Sequence, residues 1–265
     1  MIYITGDTHA DFSRFNTKNF PEQKKMTKDD IVIVLGDFGG IWYDCSKEKY
    51  WLDWLNDKPF TLVFVDGNHE NFDRLYNEFP IIDFHDGKAH KVRDNIYHLM
   101  RGYIFDFESK KFFAMGGASS HDIDDGILNP SNFTDENEFK NTYKQWVNQG
   151  RMFRVNHSSW WKEELPNQEE MQLGIETLKE NNYKVDYVIS HCLPQEIASV
   201  VSKGFYKPDS LMMYFNKLLR NGLQFEHWYC GHYHNDIDVF GKFHIRYYSI
   251  CLLYTSDAAD DLIGV

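Results

Sequence analysis

No apolar run in this chain approaches the length of a membrane span, and the opening residues MIYITGDTHAD lack a basic stretch followed by an apolar one. The chain therefore reads as cytoplasmic. Its four cysteines, Cys45, Cys192, Cys230 and Cys251, form no CxxC pair, so neither a thiolate zinc site nor a disulfide framework is indicated. Basic clusters are equally scarce: EQKK and ESKK are the densest, and both read as solvated turns. With 40 acidic residues against 28 basic ones, the formal charge is −12. That balance argues against sequence-independent binding to a nucleic-acid backbone, although bound divalent cations would reverse the sign locally. A small phosphate substrate stays open. NFT and NHS match glycosylation sequons, but without a secretion signal they read as chance.

What is present is core material. The chain has 265 residues, 42% of them hydrophobic and 17% aromatic, enough to bury a substantial interior and too much for a disordered chain. The first 80 residues alternate strand and helix. MIYIT, DDIVIVLGD and FTLVFVDG are continuous apolar runs ended by Gly or Asp, the pattern of strands covered on both faces. KEKYWLDWLND and NFDRLYNEF carry helical spacing between and after them, the second stopped by Pro80. From about residue 90 the strands become shorter and more aromatic: HKVRDNIYHLM, GYIFDFES and KKFFAMGG. Two helices follow, DENEFKNTYKQWVNQ and NQEEMQLGIETLKENN, flanking NHSSWWKEELP. A strand KVDYVISH, a helix DSLMMYFNKLLRNG and the closing strands FEHWYCGH, IDVFG and KFHIRYYSI complete the pattern. One domain over 1–251 accounts for all of these. The stretch 252–265, LLYTSDAADDLIGV, fits no element in this context, resembles a translated sequencing-adapter read, and is expected to be a non-native tail.

The polar residues after the strands form a constellation. Asp7 and His9 follow the first, Asp37 the second, and Asn68 and His69 the third. His191, His232 and His234 follow two late strands. Each lies just beyond the carboxyl end of its strand, where open α/β sheets place ligands, and adjacent glycines let the backbone turn sharply. Apart from His69, these are seven oxygen or imidazole donors without a thiolate. Such a set suits Mn²⁺, Fe or Zn²⁺, and it is too large for one tetrahedral ion but suits two ions sharing a carboxylate.

In order, the blocks read GDTH, GD, GNHE, SH and GHYH. A chain with D-x-H, G-D, G-N-H-[DE], a single His and G-H-x-H, each at a strand end, resembles a calcineurin-like metallophosphoesterase. The resemblance covers Asp7 to His234. It implies a two-sheet β-sandwich flanked by helices in four layers, an α/β fold. It further implies one divalent metal ion on Asp7, His9, Asp37 and His234 and a second on Asp37, Asn68, His191 and His232. Asp37 would bridge, a hydroxide shared by the ions would be the nucleophile, and His69 would protonate the leaving group. Protein Ser/Thr phosphatases of that superfamily carry arginines near the second and third blocks; here those places read GDFGGIWY and FVDGNHE. The phosphoprotein reading weakens accordingly, and acidity weakens a nuclease reading, leaving a small phosphomonoester, phosphodiester or nucleotide. A non-catalytic metal-binding scaffold is the rival, and it has no use for His69. Oligomeric state is not legible.

Other residues carry less. His85, His90, His98, His157, His227 and His244 read as packed or surface histidines. Trp160 and Trp161 read as core packing, and Asp66 and Glu70 as turn and helix-start acids. His121 in GGASSHD and Arg74 in the helix after GNHE are candidate substrate contacts.

Overall fold

The computed structural model describes residues 1–254. Its apolar runs fold into parallel strands because both of their faces find cover. β1 (Ile2–Thr5), β2 (Ile31–Leu35) and β3 (Thr61–Val65) lie side by side in one sheet. Ile2, Ile4, Ile31, Ile33, Leu35, Val63 and Val65 point into a shared layer with the second sheet. Tyr3, Val32, Val34, Leu62 and Phe64 point the other way, against Leu52 and Leu55 of α1 (Ser46–Asn56) and Phe72 and Leu75 of α2 (Phe72–Asn77). Each of the fully buried aliphatic side chains contributes about 1.5–3 kcal/mol relative to exposure.

The first sheet is completed by β4 (Ile81–Phe84), β5 (Gly87–Arg93), β6 (Ile96–Leu99) and β15 (Cys251–Tyr254), in the order β15-β1-β2-β3-β6-β5-β4. The second contains β7 (Ile104–Phe107), β8 (Lys110–Met115), β11 (Tyr187–Ser190), β12 (His227–Cys230), β13 (Ile237–Val239) and β14 (Phe243–Ile245), in the order β13-β14-β12-β11-β8-β7. Phe112, Ala114, Tyr187, Ile189 and Tyr229 fill the layer between the sheets. Phe113, Met115, Val188, Trp228 and Cys230 face outward among residues of α4 (Gln168–Glu180), α5 (Gln195–Ser202) and α6 (Ser210–Arg220). The result is the expected four-layer α/β sandwich. β9 (Ile127–Leu128) and β10 (Arg154–Val155) form a small parallel pair outside both sheets, with α3 (Glu136–Asn148) between them in sequence.

Three expectations need correction. HKVRDNIYHLM is not one strand: the chain turns at Asp94 and Asn95, and β5 pairs antiparallel with β6. The helix α5 was hidden behind Pro194, and its short span gives little periodicity to read. Finally, 252–254 are not outside the strand pattern. β15 pairs with β1 through Ile4↔Cys251, Tyr3↔Leu252 and Ile2↔Tyr254, covering an edge that β1 would otherwise leave open. Residues 255–265, the remainder of the stretch read as non-native, lie outside the described residues.

Candidate metal centre

Five parallel strands end at one place. β1, β2 and β3 of the first sheet and β11 and β12 of the second deliver Asp7, His9, Asp37, Asn68, His69, His191, His232 and His234 from their carboxyl ends. Close approach between these loops explains their glycines. A Cβ on Gly67 would lie 2.1 Å from Asp37 Oδ1, and one on Gly231 would lie 2.1 Å from Asp7 Oδ1. The backbone is also held in an uncommon state: His9, Asp37, His232 and His234 have φ of 44°, 46°, 68° and 47°. Left-handed backbone at such residues costs of order 1–3 kcal/mol each and persists only where the surroundings dictate it.

Those surroundings are visible. Thr8 and His9 donate their backbone N–H groups to the Asp37 carbonyl at 3.1 and 2.8 Å, and His69 donates its own to Asp37 Oδ1 at 2.7 Å. The His232 N–H reaches Asp7 Oδ1 at 2.9 Å. Buried Arg14 donates to the Gly6 and Asp7 carbonyls, bracing the first loop from behind. Glu70, buried, accepts from the Phe38 N–H at 2.7 Å, and burial raises its pKa well above the usual value. Asp66 accepts from His98 Nε2 at 3.0 Å and from Arg101 Nε at 2.9 Å, while its carbonyl takes the Gly117 N–H. Neither acid touches the His69 ring. They tie neighbouring loops together, which is more than the turn and helix-start roles expected of them.

The donor atoms fall into two overlapping groups, Asp7–His9–His234 and Asp7–Asp37–His191, each with its ligand atoms within 4.8 Å of one another. His234 Nε2 lies 3.2 Å from Asp7 Oδ2, and His9 Nε2 lies 3.1 Å from His234 Nε2. Asp37 offers one oxygen to each side: Oδ2 is 3.8 Å from His9 Nε2 and Oδ1 is 3.3 Å from His191 Nε2.

The donor chemistry fits cations. Asn68 Oδ1 is buried without a hydrogen-bond partner, a state that costs about 1–3 kcal/mol unless a ligand satisfies it, and buried His191 Nε2 meets only Asp37 Oδ1, without good hydrogen-bond geometry. His191 Nδ1 sits 2.6 Å from the Leu35 carbonyl, which can only accept, so Nδ1 carries a proton and the ring's other nitrogen faces the cluster. Burial opposes charge on this ring, but Asp37 and Asp7 hold its pKa up at about 10. Burial likewise opposes charge on Asp37, yet His191 keeps its carboxyl well below the usual range. A divalent cation would replace the proton at Nε2 and neutralise the paired carboxylates.

The family model for calcineurin-like phosphoesterase matches residues 1–236. The chain belongs to that family. It is therefore a metal-dependent phosphoester hydrolase, from a family of binuclear metal enzymes. No matching curated protein or solved structure was found. Among the described residues of this calcineurin-like phosphoesterase, no helix is long and apolar enough to cross a membrane.

His121, after β8, reaches the cluster's rim, its Nε2 2.7 Å from His232 Nε2 and its ring 4.5 Å from that of Tyr206. Arg74 is not brought there. It donates to Glu48 at 2.5 Å and to both oxygens of Glu78, at 2.9 and 2.8 Å, so its charge is already committed. The arginine that does arrive is Arg154, from β10. Its Nη2 donates to His69 Nε2 at 3.2 Å, its Nε to Asp122 at 2.6 Å and its Nη1 to the Ser159 carbonyl. Nothing in RMFRVNHS marks it out; only the return of that segment over GNHE does. Trp161 is core as expected, 2% exposed, with its indole N–H on Asp73.

Proposed function

We propose that this phosphoesterase hydrolyses a small phosphate mono- or diester, with His69 protonating the departing oxygen. The observation that carries this reading is the buried, unpartnered Asn68 Oδ1 beside His191 Nε2 and two buried carboxylates. Asp7, His9, Asp37 and His234 would hold one divalent ion, and Asp37, Asn68, His191 and His232 the other, with Mn²⁺, Fe and Zn²⁺ all compatible with the donors. Two such ions supply Lewis acidity toward phosphoryl oxygens and lower the pKa of water. Asn68 adds an oxygen donor without adding negative charge near an anionic substrate.

The protein's own groups do the rest. Arg154 donates to His69 Nε2 in the free enzyme, so that nitrogen is an acceptor there. Burial also lowers the His69 pKa, against the pull of Asp37. A substrate phosphoryl group competes for the guanidinium, and once Arg154 turns to it, Nε2 is free to carry a proton to the leaving oxygen. The test is reconstitution. Protein stripped by chelator should hold no metal and not turn over aryl or bis-aryl phosphates, and Mn²⁺, Fe²⁺ or Zn²⁺ should rebind, restore activity and raise the melting temperature. Full turnover with no metal bound would overturn the reading. A stable two-metal protein inactive on every phosphoester would favour the scaffold alternative.

A further inference from the structure

A cavity of about 360 Å³ opens on the side of the centre where His9 and His69 lie. His9 and His69 line it, and Phe12, Trp42, Tyr43 and Trp51 supply aromatic walls beside the charged Lys47 and Glu48. Cleaving a P–O bond does not require these aromatic walls. Trp42 and Trp51 are only partly buried, and Tyr43 is 79% exposed, so ring faces remain open to a ligand. Ring faces in a concave site next to a few polar groups are a stacking platform for another flat ring.

The backbone that carries Trp42 and Tyr43 is also pinned before anything binds. The loop carrying Trp42 and Tyr43 leaves β2 just after Asp37. Glu48 accepts from the Trp42 and Tyr43 N–H groups at 2.5 and 2.8 Å, and Asn71 donates to the Trp42 carbonyl at 2.9 Å. Arg74 secures Glu48 in turn. Arg74 therefore acts on this wall through Glu48. Rigid walls lose less entropy when a ligand orders them.

Position decides which part of the substrate sits here. His69 lines this cavity, whereas the second one, of about 310 Å³ beside His121 and His232, does not include it. The occupant is thus attached to the oxygen that His69 protonates. The volume lies near the lower end of the roughly 300–1,000 Å³ typical of ligand sites, room for one ring system and not for a polymer.

We propose that the leaving group of the substrate is a planar aromatic moiety, stacked in the cavity walled by Trp42, Tyr43 and Trp51. The proposal rests on the hydrolase reading with His69 as acid. In the step, the oxygen of water bonds to phosphorus, the bond from phosphorus to the aromatic alcohol's oxygen breaks, and that oxygen leaves with a proton.

Steady-state kinetics of the metal-loaded enzyme would compare phenyl phosphate with a fluoroalkyl phosphate whose alcohol matches phenol in acidity, and adenosine 5′-phosphate with ribose 5-phosphate. At least one ring-bearing ester should show a kcat/KM roughly tenfold or more above its matched control, the scale of one stacking contact. That ratio should fall about tenfold in Tyr43→Ala and in Trp42→Leu. Tyr43 is exposed enough that its variant will fold. An advantage confined to phenyl phosphate marks a simple aryl alcohol, and one confined to the nucleotide marks a nucleoside. Phenylphosphonate should quench tryptophan fluorescence and methylphosphonate should not, a readout independent of turnover. Equal kcat/KM within both matched pairs, or ratios unchanged in both variants, overturns the proposal. Quenching by phenylphosphonate in a protein that hydrolyses none of the esters would sink the hydrolase reading and leave the stacking site standing.

Discussion

The loops at the strand ends and the excursion between β8 and α4 are built on different terms. In the loops, Asp7, Asp37, Asn68 and His191 are almost wholly buried, and backbone N–H groups from other loops lock the carboxylates. In the excursion, α3 buries no residue, and Tyr143, Val147 and Met152 are 42%, 51% and 46% exposed. Its own aromatic contacts, such as Trp146 on Phe153 and Phe133 on Phe139, hold it together locally. Yet this loosely covered segment brings Arg154 to His69. The donor geometry is thus set by strand ends that cannot shift without disturbing the core. The charge that meets His69 comes instead from β10, which follows the exposed helix α3 and is anchored only through a few buried residues such as Val155 and Trp161.

The largest effect should come from the most constrained residue. Asp37→Asn removes a charge that faces both donor groups and receives the His69 N–H. Metal analysis should find both ions depleted and activity undetectable; two retained ions would break the bridging assignment. Next is His69→Asn, expected to keep both ions and lose about 10²–10⁴-fold in turnover, the worth of a positioned acid. The loss should shrink for nitrophenolate, which needs little protonation, and a uniform loss across leaving groups would refute the acid role. Gly67→Ala puts a methyl group into Asp37. Denaturant melts should show destabilisation of about 1–3 kcal/mol, the scale of overpacking. Arg154→Ala should lower kcat/KM about tenfold, the loss of one charge-assisted contact, with metal content unchanged. Metal loss in that variant would show that the excursion supports the centre itself. The smallest effect belongs to Val147→Ala, which should stay within about 0.5 kcal/mol of the parent stability. A larger cost would mean that α3 is covered in solution.

The metal-binding motifs were readable because each is local: a strand ending in apolar residues, a glycine, then a donor. GDTH, GD, GNHE, SH and GHYH all came out at strand ends, and the continuous apolar runs marked strands with two covered faces, while the four-layer sandwich was implied by the family resemblance. The residues around the donor set were less readable. Arg74, one turn into a helix after GNHE, was a reasonable candidate until Glu48 and Glu78 were seen to occupy it. Arg154 was invisible, since its distance from His69 in sequence carries no local signal. The strand at Cys251–Tyr254 was missed because a short edge strand shows its pairing only once β1 is in place.

By itself the sequence determined the family motifs and the strand ends that present them, because period, turn chemistry and residue type are properties of a few adjacent residues. Only the tertiary structure decided which arginine meets His69 and which aromatic side chains share a cavity beside it. Those depend on loops distant in sequence reaching one end of two stacked sheets, and that convergence is set by packing between the layers, which no local pattern records.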